Sequence, residues 1–194
     1  MEDRNIRDIP RLYPDILKKS VEIGFTMPSD RYIGTLLKTL ISSKPGGNFL
    51  ELGTGIGLSL AWMIDGLRGE EASLISVDND PQLTDIARSF FNQEDRLQLI
   101  CQDGTEWINI YSGPDFDLVF ADAWPGKYSE TEDILSKIKV GGYYVIDDMN
   151  LQPNWPEGHS DKVAWLVNYL AAREDFVITK MNWSTGVILA TKVA

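Results

Sequence analysis

Three kinds of residue in this 194-residue chain could do chemistry. The first is a series of carboxylates, Glu51, Asp78, Asp103 and Asp122, followed by the pair Asp147 and Asp148. Each closes a short apolar run or follows one closely, which reads as acidic strand ends arrayed on one rim of a sheet. Aspartate is common at helix caps and turns, where it satisfies free amides. That explains any single one of these residues but not the whole set. The second is the glycine-rich turn in FLELGTGIGLSL, with Gly53, Gly55 and Gly57. Glycines there let the backbone turn sharply and approach a ligand without Cβ obstruction, and a following helix start offers free amides. The third is DLVFADAWPGKY, residues 117–128, where an apolar run stops at Asp122 and Trp124, a Pro-Gly step, Lys127 and Tyr128 follow.

Composition narrows the chemistry. A single histidine, His159, argues against a multi-histidine metal site or a Ser-His-Asp centre elsewhere. A single cysteine, Cys101, allows no internal disulfide and suits a reducing, cytoplasmic setting. Hard chemistry must then rest on carboxylates, a lysine or a cofactor. The net charge of −11 argues against nucleic-acid or anionic-membrane partners, which need a basic footprint. The N-terminus lacks an apolar signal core and no run approaches membrane-spanning length. The expected partner is a small-molecule acceptor, and a homodimer stays open.

The elements that must position these residues alternate. Residues 31–42 carry apolar side chains at helical spacing. Strands are expected at NFLEL, 72–77, 96–101, 116–121 and 142–147, with helices at LSLAWMIDGL, 81–91, TEWINIY, ETEDILSKI and 161–172. Residues 150–159 read as a loop, and FVITKM and GVILAT, joined by a short Asn-Trp-Ser-Thr segment, read as a closing hairpin. Strand runs rich in Val, Ile and Leu suit strands covered on both faces. The expected fold is α/β, a Rossmann-like doubly wound sheet, mostly parallel with a C-terminal antiparallel hairpin. No linker divides the chain, so one domain over 1–194 is expected, with 1–30 an irregular or short helical lead-in and candidate lid. Ligands bind such sheets outside the carboxyl ends of the strands. Trp62 and Trp165 are expected in the core, Trp124 and Trp155 around an acceptor and Met27 and Ser29 as lid contacts, with His159 read either as a surface histidine or as a base.

A nicotinamide-binding turn would read G-x-G-x-x-G, but Leu58 stands at its last position. E-L-G-T-G-x-G after the first strand, with an acidic residue after the second, instead resembles the class I S-adenosylmethionine-dependent methyltransferases. The resemblance covers roughly residues 25–194. It implies that Glu51, Gly53, Thr54 and Gly55 surround the methionine part of the cofactor. Asp78 would accept from the ribose hydroxyls, Asn79 flank the adenine, and Asp103, Gly104 and Thr105 face the adenine edge. Asp122 would touch the cofactor as well. D-A-W-P-G-K-Y further resembles the D-x-x-K-x-x-Y segment of the small metal-dependent O-methyltransferases, the catechol and caffeoyl-coenzyme A group. There, Asp122, Asp147 and Asp148 would hold Mg²⁺ or Mn²⁺, which lowers the pKa of an acceptor hydroxyl. Pro125 stands where that group has its lysine, and Lys127 comes two residues later. Lys127 reads either as a solvated loop lysine or as a base; Asp122, Lys127 and Tyr128 are the catalytic candidates. The function expected is O-methylation of a small hydroxylated acceptor. Metal-independent transfer to nitrogen or carbon, and a non-catalytic cofactor-binding module, are the alternatives.

Overall fold

The structure, a computed structural model, describes residues 2–152 and 155–194. Pro153 and Asn154 of the expected 150–159 loop lie outside the described residues. The strands are β1 (Asn48–Leu52), β2 (Ser73–Asp78), β3 (Leu97–Cys101), β4 (Phe116–Ala121), β5 (Ile138–Ile146), β6 (Phe176–Met181) and β7 (Val187–Lys192). They form one sheet in the order β3-β2-β1-β4-β5-β7-β6. The first five pair in parallel, and β7 runs antiparallel between β5 and β6. The sheet is therefore doubly wound and closes with the expected hairpin. The winding reverses between β1 and β4, which leaves a crevice at their carboxyl ends.

Both faces are covered, which is why the strand sequences are almost continuously apolar. Successive side chains alternate across a strand. Phe49, Leu118, Phe120 and Val145 therefore pack on one face against α1 (Tyr13–Ile23), α2 (Arg31–Ser42), α3 (Leu58–Gly66) and α4 (Pro81–Phe91). Leu50, Val119, Tyr144 and Ile146 pack on the other against α5 (Gly104–Ile110), α6 (Thr131–Ser136) and α7 (His159–Ala171). Each such fully buried side chain contributes about 1.5–3 kcal/mol. Helix starts are fixed by aspartates. Asp30 accepts from the amides of Tyr32 and Ile33, and Asp80 from those of Gln82 and Leu83, with Pro81 at the first helical position.

Several expectations are corrected. The lead-in contains a full helix, α1, which buries Tyr13 and Ile16 and ends at the left-handed Gly24. The helix expected through Ile138 stops at Ser136, because Ile138 already pairs with Phe116 and starts β5. α7 begins at His159 rather than 161. Trp62 is fully buried, but Trp165 is 47% exposed. Val163, Leu166 and Leu170 fill the inner stripe of α7, and the Trp165 ring stacks on Tyr169 on the outer side. No helix among the described residues is long and apolar enough to cross a membrane.

Candidate active site

A cavity of about 560 Å³ opens at the crevice predicted by the strand order. The glycine turn after β1, Asp78 and Asn79 after β2, Asp122 after β4, and Asp147 and Asp148 after β5 all line it. Residues 25–30 and the start of α7 complete the wall.

Gly53 has φ +100, and a Cβ there would lie 2.7 Å from the carbonyl oxygen of Asp122. Only a glycine lets the turn sit directly against the end of β4. One residue on, the Thr54 hydroxyl shares a hydrogen bond of 2.5 Å with that of Ser76. The Gly55 amide donates to Asp78 Oδ2 at 2.8 Å, and the Asp80 amide donates to Asp78 Oδ1 at 2.9 Å. Asp78 is thereby aimed by the backbone, and each oxygen keeps capacity for a further donor.

Glu51 does not line the cavity. It is fully buried beneath the turn, where the hydroxyls of Ser59 and Ser76 each donate to it at 2.5 Å. Burial pushes its carboxyl up to about 7, against the two serine hydrogen bonds and with a small push from Asp78. Glu51 thus props the turn rather than facing a ligand. Asp103, Gly104 and Thr105 also stand away from the cavity lining. Exposed Asp103 caps α5 by accepting from the Glu106 amide, and the Thr105 hydroxyl donates to Glu130. A Cβ on Gly104 would meet the Pro125 ring at 2.9 Å. This motif is the abutment of the 122–130 turn. Spacing put these residues at the right strand end, but could not show which way they face.

The acidic end is tightly knit. Ser29 donates to Asp122 Oδ2 at 3.3 Å, which ties the lead-in to β4. Burial pushes Asp122 well up; the charge of Lys127 pulls it down, and Asp147, Asp148 and Glu51 add to the push. Asp147 is raised to about 6, chiefly by burial. Its Oδ1 accepts from the Thr185 hydroxyl at 2.5 Å and from the Asp148 amide at 2.8 Å. Thr185, in the hairpin turn, was not foreseen. Backbone bonds from Met149 to Gly186 and from Asn150 to Thr185 return that distant turn to the rim. The view of Lys127 as a solvated loop lysine is corrected. It is 5% exposed, and its Nζ donates to the Asp147 carbonyl at 2.6 Å.

Beyond Asp148 lies an aromatic recess. Trp124, Tyr128 and Trp155 line the cavity together with His159. The Trp155 and His159 ring centroids are 4.5 Å apart, those of Tyr128 and His159 5.1 Å, and those of Trp124 and Tyr128 6.1 Å. His159 is buried, which overturns its surface reading, with Nε2 3.3 Å from the Tyr128 hydroxyl. Met27 lines the cavity but is 67% exposed.

A family described as a methyltransferase domain matches residues 50–149, from β1 to just past β5. The chain belongs to that family. Among curated relatives, a Mycolicibacterium vanbaalenii protein named "Putative O-methyltransferase" is 31% identical over 112 residues, 56% of this chain and 49% of that one. The chain spans about half the length of the curated relatives it matches. The O-methyltransferase TomG of Streptomyces achromogenes, solved with SAM, superposes with a TM-score of 0.86 at 19% identity, covering 98% of this chain and 93% of that one. A Bacillus cereus O-methyltransferase solved with SAH gives 0.81 at 20% identity, over 97% and 92%. At those identities the likeness shows the fold, the class I methyltransferase sheet with its closing hairpin.

The donor set of the cavity fits S-adenosylmethionine. A glycine turn, a backbone-aimed carboxylate after β2 and an acidic wall suit a methionine tail, a ribose diol and a sulfonium cation respectively. It does not fit a divalent cation. Among the described residues, no group of three or more His, Cys, Asp or Glu side chains is arranged to hold one. Asp147 Oδ1 is already taken by Thr185 and Asp148, and Lys127 brings its own charge to the same carboxylates.

Proposed function

We propose that this methyltransferase moves the methyl group of S-adenosylmethionine to a hydroxyl of a small aromatic acceptor, with no divalent cation. One observation carries the reading. A single cavity joins the glycine turn and Asp78 to the recess walled by Trp124, Tyr128 and Trp155, with Asp122 between them. Flat aromatic walls suit a flat aromatic ring. The names of the curated relatives and the activities of the solved neighbours support transfer to oxygen.

Bound S-adenosylmethionine supplies an electrophilic methyl group on a sulfonium cation. Gly53, Thr54 and Gly55 would hold its methionine part, Asp78 its ribose hydroxyls, and Asn79 would lie beside the adenine. Asp122, on the cavity wall, would face the cationic centre, where a carboxylate lowers the cost of burying positive charge. Lys127 ties the 122–128 turn to the end of β5 and balances the carboxylates that a metal would otherwise neutralise. Residues 25–30 would cover the bound cofactor, and Ser29 anchors them on Asp122. Holding the two reactants in line supplies much of the rate.

The test is S-adenosylhomocysteine formation across phenols, aliphatic alcohols, amines and thiols, each with EDTA and with added Mg²⁺. Turnover confined to phenols and unchanged by EDTA is expected. Loss of turnover on chelation would refute the metal-free reading, and turnover with amines alone would refute transfer to oxygen.

A further inference from the structure

The acceptor end of the cavity holds the only histidine of the chain, and its bonding is incomplete. His159 is 7% exposed, its Nε2 lies 3.3 Å from the Tyr128 hydroxyl, and its Nδ1 is buried without a hydrogen-bond partner among the described residues. A neutral imidazole has one donor and one acceptor nitrogen. A partner on Nδ1 would ordinarily pin the tautomer; none of the described residues does so, and Nε2 can be the accepting nitrogen.

The surroundings keep the ring neutral. Burial is the largest influence, Lys127 and Lys162 act with it, Asp148 opposes, and the balance lies below the ordinary 6.5. His159 is also the first residue of α7, where the helix N-terminus disfavours a cation. The Tyr128 hydroxyl is pushed the other way, chiefly by burial and then by Asp148 and Asp122, so it persists as a phenol. Lys127 is occupied by the Asp147 carbonyl. Among these neighbours, His159 is the one neutral base, and Tyr128 stands beside it on the cavity wall.

We propose that Tyr128 takes the proton of the acceptor hydroxyl while passing its own proton to His159 Nε2, a relay that rests on the methyl-transfer reading above. The step balances. One proton leaves the acceptor oxygen, the electron pair of that O–H bond becomes available for the new O–C bond, and the methyl's C–S bond would break with its pair left on the sulfur of S-adenosylhomocysteine. Tyr128 loses one proton and gains one. His159 ends as imidazolium and returns its proton to solvent after the product leaves. Tyr128 is the catalytic residue, and His159 is the positioning residue that holds the proton behind it. Trp124 and Trp155 hold the acceptor ring against the pair.

Because His159 is unique, its ring can be followed alone by ¹⁵N NMR in the S-adenosylhomocysteine-bound chain. Adding catechol should shift its ring resonances. His159→Asn and Tyr128→Phe should each lower phenol turnover by about 100-fold or more, with S-adenosylmethionine affinity by calorimetry changed less than about twofold. The acid limb of the wild-type kcat profile should follow the His159 titration seen by NMR and disappear from the residual activity of His159→Asn. Resonances that catechol leaves unmoved, or a His159→Asn enzyme within about threefold of wild-type turnover, would overturn the relay. A wild-type chain that fails to bind S-adenosylmethionine would overturn the methyl-transfer reading itself and the relay with it.

Discussion

Glu51 offers a sharp test of how the site is built. It is fully buried, held by Ser59 and Ser76, and its carboxyl is raised from 4.5 to about 7. Between those two values the folded chain binds more protons at this site than the unfolded chain does. Stability from this group therefore falls as pH rises through the window and levels off above it. The ionised carboxylate costs under about 1 kcal/mol at pH 5 and roughly 3 kcal/mol at pH 8, at about 1.4 kcal/mol per tenfold. Glu51→Gln keeps the shape and a hydrogen-bonding group for each serine but cannot ionise. The variant should match wild type closely at pH 5 and exceed it by roughly 3 kcal/mol at pH 8. In urea unfolding, with m of about 1–3 kcal/mol per molar, that moves the midpoint up by about 1 M or more. Asp147 titrates in both proteins and cancels from the difference. A variant that is less stable by a constant amount at every pH would refute the reasoning. It would show that the serine bonds to the carboxylate outweigh its burial.

Other consequences follow from the same geometry. Asp78→Ala should weaken S-adenosylmethionine binding roughly 10- to 100-fold by calorimetry, the worth of a hydrogen bond to a charged group; unchanged affinity would remove Asp78 from the ribose. Gly53→Ala drives a Cβ to 2.7 Å from the Asp122 carbonyl at φ +100. It should lower the melting temperature by several degrees, at about 1–3 kcal/mol of strain, and cofactor affinity should fall with it. Trp124→Ala should raise KM for phenols with little change in cofactor affinity; an unchanged KM would place the acceptor elsewhere.

Much of the fold is legible in the sequence because strand and helix periods are clear. NFLEL, FDLVFA and PQLTDIARSFF could hardly be read otherwise, and their order implies a parallel sheet with its ligand crevice at β1 and β4. Boundaries fail where two elements compete for a residue, as at Ile138, which a helical pattern and a strand both claim and the sheet takes. The site divides along a different line. Chain spacing brings Asp78, Asp122, Asp147 and Asp148 to one rim, since they stand at the ends of three parallel strands, the last two together after β5. Spacing does not report side-chain direction, so Glu51 and Asp103 reach the rim in sequence but point away from the cavity. It is also blind to contacts closed over long separations. Thr185 reaches Asp147 only through the hairpin, and Ser29 reaches Asp122 only because α2 packs beneath. The solvated-loop reading of Lys127 and the surface reading of His159 fail for a related reason. Loop residues of polar type are usually solvated, and only the fold shows that this loop is roofed by α7 and the aromatic cluster.

The contact between Gly104 and Pro125 makes two distant positions one unit of inheritance. Pro125 fits because residue 104 has no side chain, and a Cβ there would collide with the ring at 2.9 Å. A lysine placed at 125 would leave Gly104 facing a flexible chain, and a larger residue at 104 would evict the proline and shift the turn that carries Lys127 and Tyr128. Engineering toward a lysine three residues after Asp122 is thus an epistatic problem, in which neither substitution can be judged without the other. The order in which the two changes are made will decide whether any intermediate keeps a working turn.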